Sequence, residues 1–311
     1  MKNRVLNIII NILISFSFLS LATFGIVLIF KTSSTTNFAQ GMVGILGAYV
    51  TSYLIDQKGI SQITGVSSVV ITTPLRLILP ILAGMLAAFV TGYLIDLFIF
   101  RRAKYVNAAT KQIITMGLVI VLTGLIPLIS GLTVERASFK FVDKTVDIAG
   151  YKYSGHDLIT IVLAFVILTS LFLALKYTKW GLAVRSVASN EKVAGLMGIN
   201  TNRINALSWA IAGALGALSA ITFTATNSTL NVFSMTGIQI NAFYSSVMGG
   251  FSTFYGPLVG AGIFNILEIF SKRILPSNLN IYSNVFLYFA IMLIVLIKPN
   301  GIFGKKSVSK V

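Results

Sequence analysis

The sequence predicts an all-α, polytopic integral membrane protein with about eight or nine transmembrane helices, some of them broken or re-entrant, in a single domain over residues 1–311. Three observations carry this. Of the 311 residues, 56 % are hydrophobic and only 10 % charged. A soluble domain carries about 25 % charged residues, so this chain cannot cover a water-facing surface of its own size. The mean hydropathy is +0.89. The apolar residues also gather into runs of membrane-crossing length that lack the period-two alternation of barrel strands, and a backbone in lipid must then satisfy its hydrogen bonds as helix. A soluble enzyme and an intrinsically disordered chain are both excluded.

In order, the runs extend from Val5 to Phe30, Phe38 to Ile55, Leu77 to Phe100, Ile113 to Ser130, Leu158 to Leu175, Ala206 to Thr224, Gln239 to Phe251, Pro257 to Phe270 and Tyr282 to Ile297. The first is far longer than the apolar core of a cleaved signal peptide, which is about 7–15 residues. In the second, Gly41, Gly44 and Gly47 recur at every third position. Gly213, Ala214, Gly216 and Ala217 line the sixth, and Gly256 and Gly260 form a GxxxG pair followed by Gly262. Small residues let helix backbones approach closely, which is how helices associate in lipid. The second and seventh runs are short or glycine-interrupted, and these are the places where broken or re-entrant helices are expected.

The net charge of +16, from 24 basic and 8 acidic residues, reads as Lys and Arg retained in cytoplasmic loops rather than as a nucleic-acid surface. Arg101, Arg102, Lys104 and Lys111 form a basic stretch expected inside. The loop 131–157 balances Arg136, Lys140, Lys144 and Lys152 against Glu135, Asp143, Asp147 and Asp157, and is expected outside. The loop 178–205 carries Lys179, Arg185, Lys192 and Arg203 against Glu191 alone, and the tail holds Lys298, Lys305, Lys306 and Lys310; both are expected inside, with a cytoplasmic C-terminus. Lys272 and Arg273 fall outside against this rule. At the N-terminus, Lys2 and Arg4 favour the inside, whereas counting back through two full spans puts them outside. Either one of the first two segments is re-entrant, or the N-terminus is external despite its charges.

Ion- or proton-driven transporters carry ionisable groups at mid-membrane. Here only Asp96 and Glu268 fall within apolar runs, each near a run end where it can snorkel or pair, while Asp56 sits at a span end. The one histidine, His156, is expected as a solvated side chain of the external loop. No His/Asp/Glu cluster suggests a metal, no cysteine is present, and no phosphate-cradling G-x-x-x-x-G-K-[ST] occurs. Enzyme chemistry is not expected, and any energy source lies on another chain. Uncharged amides and small residues beside the two broken runs are what a path for a small polar solute needs: Asn37, Gln40 and Gly41 in one, Asn241, Ser245, Gly249 and Gly250 in the other. Ordinary interhelical hydrogen bonding is the alternative role.

Within the loop 178–205, residues Asn190 to Asn200 read as a short helix. Asn190 suits the N-cap, Glu191 the positive N-terminal end, and Gly198 the C′ position. Glu191, Ala194 and Gly198 share one face; Val193, Leu196 and Met197 give an apolar one. Such a helix makes sense as a ridge fitting a groove on a partner.

Glu191-x-x-Ala194-x-x-x-Gly198, with Gly195 inside it, resembles the E-A-A-x-x-x-G coupling helix of ABC importer permeases, with the Glu-to-Gly spacing one residue longer. The block WGLAVRSVASNEKVAGLMGINTNRIN (Trp180 to Asn205) is similar to that of the branched-chain amino acid permease family. NFAQGMVGILGAYV (Asn37 to Val50), VMGGFSTFYGPLVGAGIFNILE (Val247 to Glu268) and IKPNGIFGK (Ile297 to Lys305) resemble its other conserved segments in the correct order. Gln40 stands where the family commonly has His, and Ser252-Thr253 where it has Gly-Ser. The resemblance, closest to the H-type permease subunit, implies a non-enzymatic importer subunit in the bacterial cytoplasmic membrane. Its implied partners are a second permease subunit (an M-type one, or a second copy), two cytoplasmic ATPase subunits that bind the ATP, and an extracytoplasmic solute-binding protein. No cofactor is expected in this chain. Leucine, isoleucine and valine are the implied solutes; urea or another amide, or a gradient-driven mechanism, are the alternatives.

Overall fold

A computed structural model of the chain describes residues 2–55, 73–103, 106–130, 135–137, 144–227, 229–274, 279 and 282–304. Asp56, Lys104, Lys140, Asp143, Lys305, Lys306 and Lys310, used above in the charge argument, lie outside the described residues.

Each of the nine apolar runs is occupied by a helix. They are α1 (Lys2–Ser33), α2 (Gln40–Ile55), α3 (Thr73–Ile95), α4 (Ala108–Ser130) and α5 (Gly155–Tyr177), then α8 (Thr201–Asn227), α9 (Thr236–Gly249), α10 (Gly256–Ile274) and α11 (Ser283–Ile297). Five of them, α1, α3, α4, α5 and α8, are long and apolar enough to cross a membrane, and α2 and α11 are shorter apolar helices. Two further helices, α6 (Lys179–Ser189) and α7 (Glu191–Leu196), fill the loop before α8. The apolar windows of α1 and α8 are 78 % buried, against 17–28 % in α3, α4 and α5, so α1 and α8 are the core pair.

Small residues set the packing around α8. A Cβ on Gly44 would lie 2.4 Å from the Gly216 carbonyl oxygen, one on Gly213 2.3 Å from that of Ala88, and one on Gly92 2.4 Å from that of Trp209. Backbone meets backbone at these crossings, which is the close approach the glycine spacing predicts. Trp209, 1 % exposed, stacks on Phe100 with ring centroids 4.4 Å apart.

The loop between α4 and α5 adds three short strands to the helical architecture, and the connection between α8 and α9 adds a fourth. β1 (Glu135–Ala137) pairs antiparallel with β4 (Thr229–Asn231), and β2 (Thr145–Ile148) with β3 (Tyr151–Ser154). The β2–β3 connection is Ala149-Gly150 with both φ positive, at 56° and 85°, the backbone of a type I′ hairpin turn. These strands mark one end of the bundle, and α6 and α7 mark the other.

This geometry orders the N-terminus. Near the start of α1, the Asn7 Oδ1 accepts from the Tyr153 hydroxyl on β3 at 2.8 Å, so α1 begins at the strand end. At the helix's other end Lys31 donates to the Ser252 carbonyl and Lys111 to that of Ser33. Lys2 and Arg4 therefore share an end with the loop 144–154, as do Lys272 and Arg273 in the last turn of α10. The chain then folds back through the non-helical segment 34–39, and α2 starts beside the middle of α8.

Two expectations need correction. His156 is not a solvated loop side chain: it sits in the first turn of α5, fully buried, with Nε2 3.1 Å from the Thr222 carbonyl oxygen of α8. Asp96 does not snorkel to solvent: it is 3 % exposed in a π-helical turn (Asp96–Phe100) that continues α3, with the Arg101 amide donating to its carbonyl. Glu268 does pair, with Lys272 one turn on at 2.7 Å.

Candidate functional site

The centre of the bundle is built where the backbone is not helical. Residues 35–39 lie largely inside the protein, where their polar groups need partners that water cannot supply. Neighbouring helices provide them. The Thr115 hydroxyl on α4 donates to the Thr36 carbonyl and accepts from the Phe38 amide, both at 3.3 Å, and the Gln239 Nε2 on α9 donates to the Asn37 carbonyl at 3.0 Å. The Asn37 Oδ1 accepts from the Ala39 amide at 2.9 Å, and its Nδ2 donates to the Gln40 Oε1 at 3.4 Å. Gln40 in turn donates to the Ala212 carbonyl, tying the start of α2 to the middle of α8. Asn37 and Gln40 are 2 % and 1 % exposed.

Gly41 lets α9 close on this cluster: a Cβ there would meet Met235 and Gln239 at 3.3 Å. The short helices α2 and α9 thus begin side by side inside the bundle, with Thr236 and Gly237 at the start of α9 exposed. Gln239 Oε1 is buried there without a hydrogen-bond partner.

Of the seven path residues expected from sequence, Asn37, Gln40 and Gly41 come together here. Asn241 accepts from the Tyr288 hydroxyl at 3.1 Å and lines a cavity toward the strand end. Ser245, Gly249 and Gly250 stand apart from the cluster. Gly260 packs on the Ser245 carbonyl, Gly249 on Gly256, and Gly250, at φ +93°, against Asn300 and Gly304. The Ile302 and Phe303 amides donate to the Met248 and Gly249 carbonyls, so the closing P-N-G-I-F-G segment caps the end of α9. Gln239, one of the uncharged amides that the sequence places at the short seventh run, joins the cluster through its bond to Asn37.

The second candidate region is the α6–α7 end. In α6, the Thr178 Oγ1 caps the N-terminus by accepting from the Gly181 amide at 3.0 Å, and Gly181, Val184 and Val187 face inward at helical spacing. The sequence reading missed this helix because its polar and basic residues read as loop. The α7 helix is capped as expected. The Asn190 Oδ1 accepts from the Val193 amide at 3.1 Å, and Gly198, at φ +87°, closes a Schellman turn in which the Ile199 and Gly198 amides donate to the Ala194 and Gly195 carbonyls. Ala194 is buried, while Val193, Leu196 and Met197 are 52, 87 and 79 % exposed; Gly195 and Gly198 also lie open.

Glu191 turns inward. Its Oε1 accepts from the Asn205 Nδ2 of α8 at 3.3 Å. With Asp96, Arg101, Lys111, Ser33 and Asn205 it encloses a hollow of about 20 Å³, onto which five helices converge. Asp96 Oδ2 and Asn205 Oδ1 are buried there without hydrogen-bond partners.

These features define a class: a polytopic membrane protein whose buried amides lie between two short helices, with an exposed apolar ridge fixed at one end. The comparison with known proteins refines it. Residues 8–296 match the family described as branched-chain amino acid transport system / permease component, and the chain belongs to that family. It is 29 % identical over 150 residues to the high-affinity branched-chain amino acid transport system permease protein LivH of Escherichia coli K12. That match covers 48 % of each chain, about half the length of the relative. To BraD of Pseudomonas aeruginosa, named for the same kind of system, it is 26 % identical over 94 % of this chain and 93 % of that one. A probable LivH of Methanocaldococcus jannaschii is 27 % identical over 92 % and 88 %. No solved structure matches the chain.

Proposed function

We propose that the chain is the membrane-spanning permease subunit of a binding-protein-dependent ABC importer for branched-chain amino acids, driven by a separate ATPase subunit. The observation that carries this is α7. Leu196 and Met197 stand almost fully out of the bundle on a helix whose caps, buried Ala194 and Glu191–Asn205 bond hold it rigidly. Apolar side chains so exposed on a short fixed ridge suit a partner's groove, and membership of a transport-system permease family supports reading that partner as the ATPase subunit. Between α6 and α7 an open groove of about 660 Å³, lined in part by Leu182, Val193 and Met197, extends the same face.

In this reading the α6–α7 end and the residues 298–304 face the cytoplasm, where the basic excess lies. The strand end meets the solute-binding protein, and a second permease subunit completes the path beside Asn37, Gln40 and Gly41. ATP-driven motion of α7 passes through Glu191 and Asn205 to α8, and through the hollow beside Asp96 to Ser33 and on to the 34–39 segment. ATP binds to the ATPase subunits, and no cofactor is assigned to this chain.

The test is affinity for the ATPase subunit in nanodiscs. A buried Leu or Met side chain contributes about 1.5–3 kcal/mol, so Leu196→Ala and Met197→Ala should each weaken association about tenfold or more. Unchanged affinity together with unchanged uptake in the double variant would overturn the docking role.

A gradient-driven mechanism has one observation in its favour, the buried carboxyl of Asp96 in a spanning helix. It requires uptake that persists without the ATPase subunit and collapses with an uncoupler.

A further inference from the structure

The strand end of the bundle holds a cavity of about 590 Å³ among α1, α8, α9, α10 and β3, within the size range of small-molecule sites. Its base is apolar, made by Ile14, Phe18, Leu19, Phe223 and Ile238. Five asparagines line it above that base: Asn7, Asn11, Asn227, Asn241 and Asn265. Amides within apolar helices are costly unless they bond, and these are only half used.

Their bonds leave a defined set of open groups. Asn11 donates to Asn7 Oδ1 at 2.8 Å, Asn227 to the Phe223 carbonyl at 2.9 Å and Asn265 to the Ala261 carbonyl at 2.8 Å. That occupies the amino groups and leaves the oxygens of Asn11, Asn227 and Asn265 as open acceptors. Conversely, Asn7 Oδ1 is taken by Asn11 and the Tyr153 hydroxyl, and Asn241 Oδ1 by the Tyr288 hydroxyl, which leaves two amino groups as open donors. Asn265 is 1 % exposed, so its amide is built into the wall rather than displayed on a surface. Charge at the rim is balanced: Lys272 pairs with Glu268, and Lys152 and Asp157 both line the cavity, Asp157 accepting from Thr226 at 2.9 Å.

We infer that this cavity is a binding site for a free zwitterionic amino acid with an aliphatic side chain. Three amide oxygens suit an ammonium group, which only donates; two amide amino groups suit a carboxylate, which only accepts. The aliphatic tail packs on Phe18, Leu19 and Phe223, and the balanced rim favours a solute without net charge. Asn241 and Gln239, whose side chain bonds Asn37, both belong to α9, so one helix contributes to the cavity and to the central cluster. The inference takes its solute class partly from the proposed function and adds the place where that solute is held.

The experiment uses the permease with its partner subunits in nanodiscs, without the solute-binding protein, and measures equilibrium binding of labelled L-leucine. Saturable binding is expected, competed by valine but not by urea, and weaker for 4-methylpentanoate and isoamylamine, which each lack one charge. Asn265→Leu should lower affinity about tenfold or more. Asn11→Leu, at an exposed position of α1, should do so in a chain whose folding it does not threaten. Urea competing as well as valine overturns the zwitterion assignment. Leucine binding that is absent, or indifferent to both variants, while ATP-driven leucine uptake proceeds, overturns the site and leaves the transport reading intact. Binding that follows the asparagines without any uptake supports the site and counts against the transport reading.

Discussion

Replacing Gly44 with alanine tests the packing that places the central cluster. The new Cβ would stand 2.4 Å from the Gly216 carbonyl oxygen and 2.7 Å from its carbon. Both are backbone atoms of α8, so no side chain can rotate aside, and α2 must move off α8 by more than about half an ångström to restore contact distance. Overpacking of this kind costs about 1–3 kcal/mol. Alanine's better helix propensity returns about 0.5–1 kcal/mol, leaving a net loss of up to about 2.5 kcal/mol. Gly117 on α4 is the control, because a Cβ there meets nothing within 4 Å. Gly117→Ala therefore keeps only the favourable part. Thermal unfolding of the purified protein in detergent, followed by tryptophan fluorescence, should show Gly44→Ala melting below the parent and Gly117→Ala at or above it. The reasoning is refuted if Gly44→Ala melts no lower than the parent, or if the two variants lose stability equally.

Trp209→Ala should destabilise by about 3–5 kcal/mol in the same assay. Trp209→Phe should cost much less, since it also removes a buried indole N–H that has no partner. Asn190→Ala should loosen α7 by about 1 kcal/mol through loss of its cap, visible as faster hydrogen exchange of the amides of residues 193–196. Gly198→Ala places a Cβ at φ +87° and should act in the same direction on the same amides. His156→Leu breaks the bond to the Thr222 carbonyl and should lower the melting temperature through a loss of about 1–3 kcal/mol, whereas a solvated histidine would give no change.

Much of the fold was legible because lipid leaves the backbone few options. Nine apolar runs became nine helices, and the glycine spacings of α2 and α8 became backbone crossings. The caps of α7 were readable because Asn190 and Gly198 act on their own turn. Other features were not. Helix α6 is amphipathic and basic, and only its packing on α5, α1 and α8 turns Val184 and Val187 into core residues. Asn7, Asn11 and Asn265 were given no role from the sequence, although Asn7 and Asn11, one turn apart, were a signal that could have been used. His156 and Asp96 were misjudged because burial depends on which neighbours arrive, here α8 for the histidine and the α7–α8 junction for the aspartate.

By itself the sequence determined the class, the helical runs, the side-to-side charge bias and the family, since all of these follow from composition, periodicity and local motifs. The tertiary structure alone decided where α1 begins, that α2 and α9 start together inside the bundle, that Glu191 faces inward while Leu196 faces out, and that five asparagines from four helices surround one cavity. The reason is physical. Hydrophobicity fixes which segments leave water, but the partner of each buried amide is chosen by helices far apart in the chain.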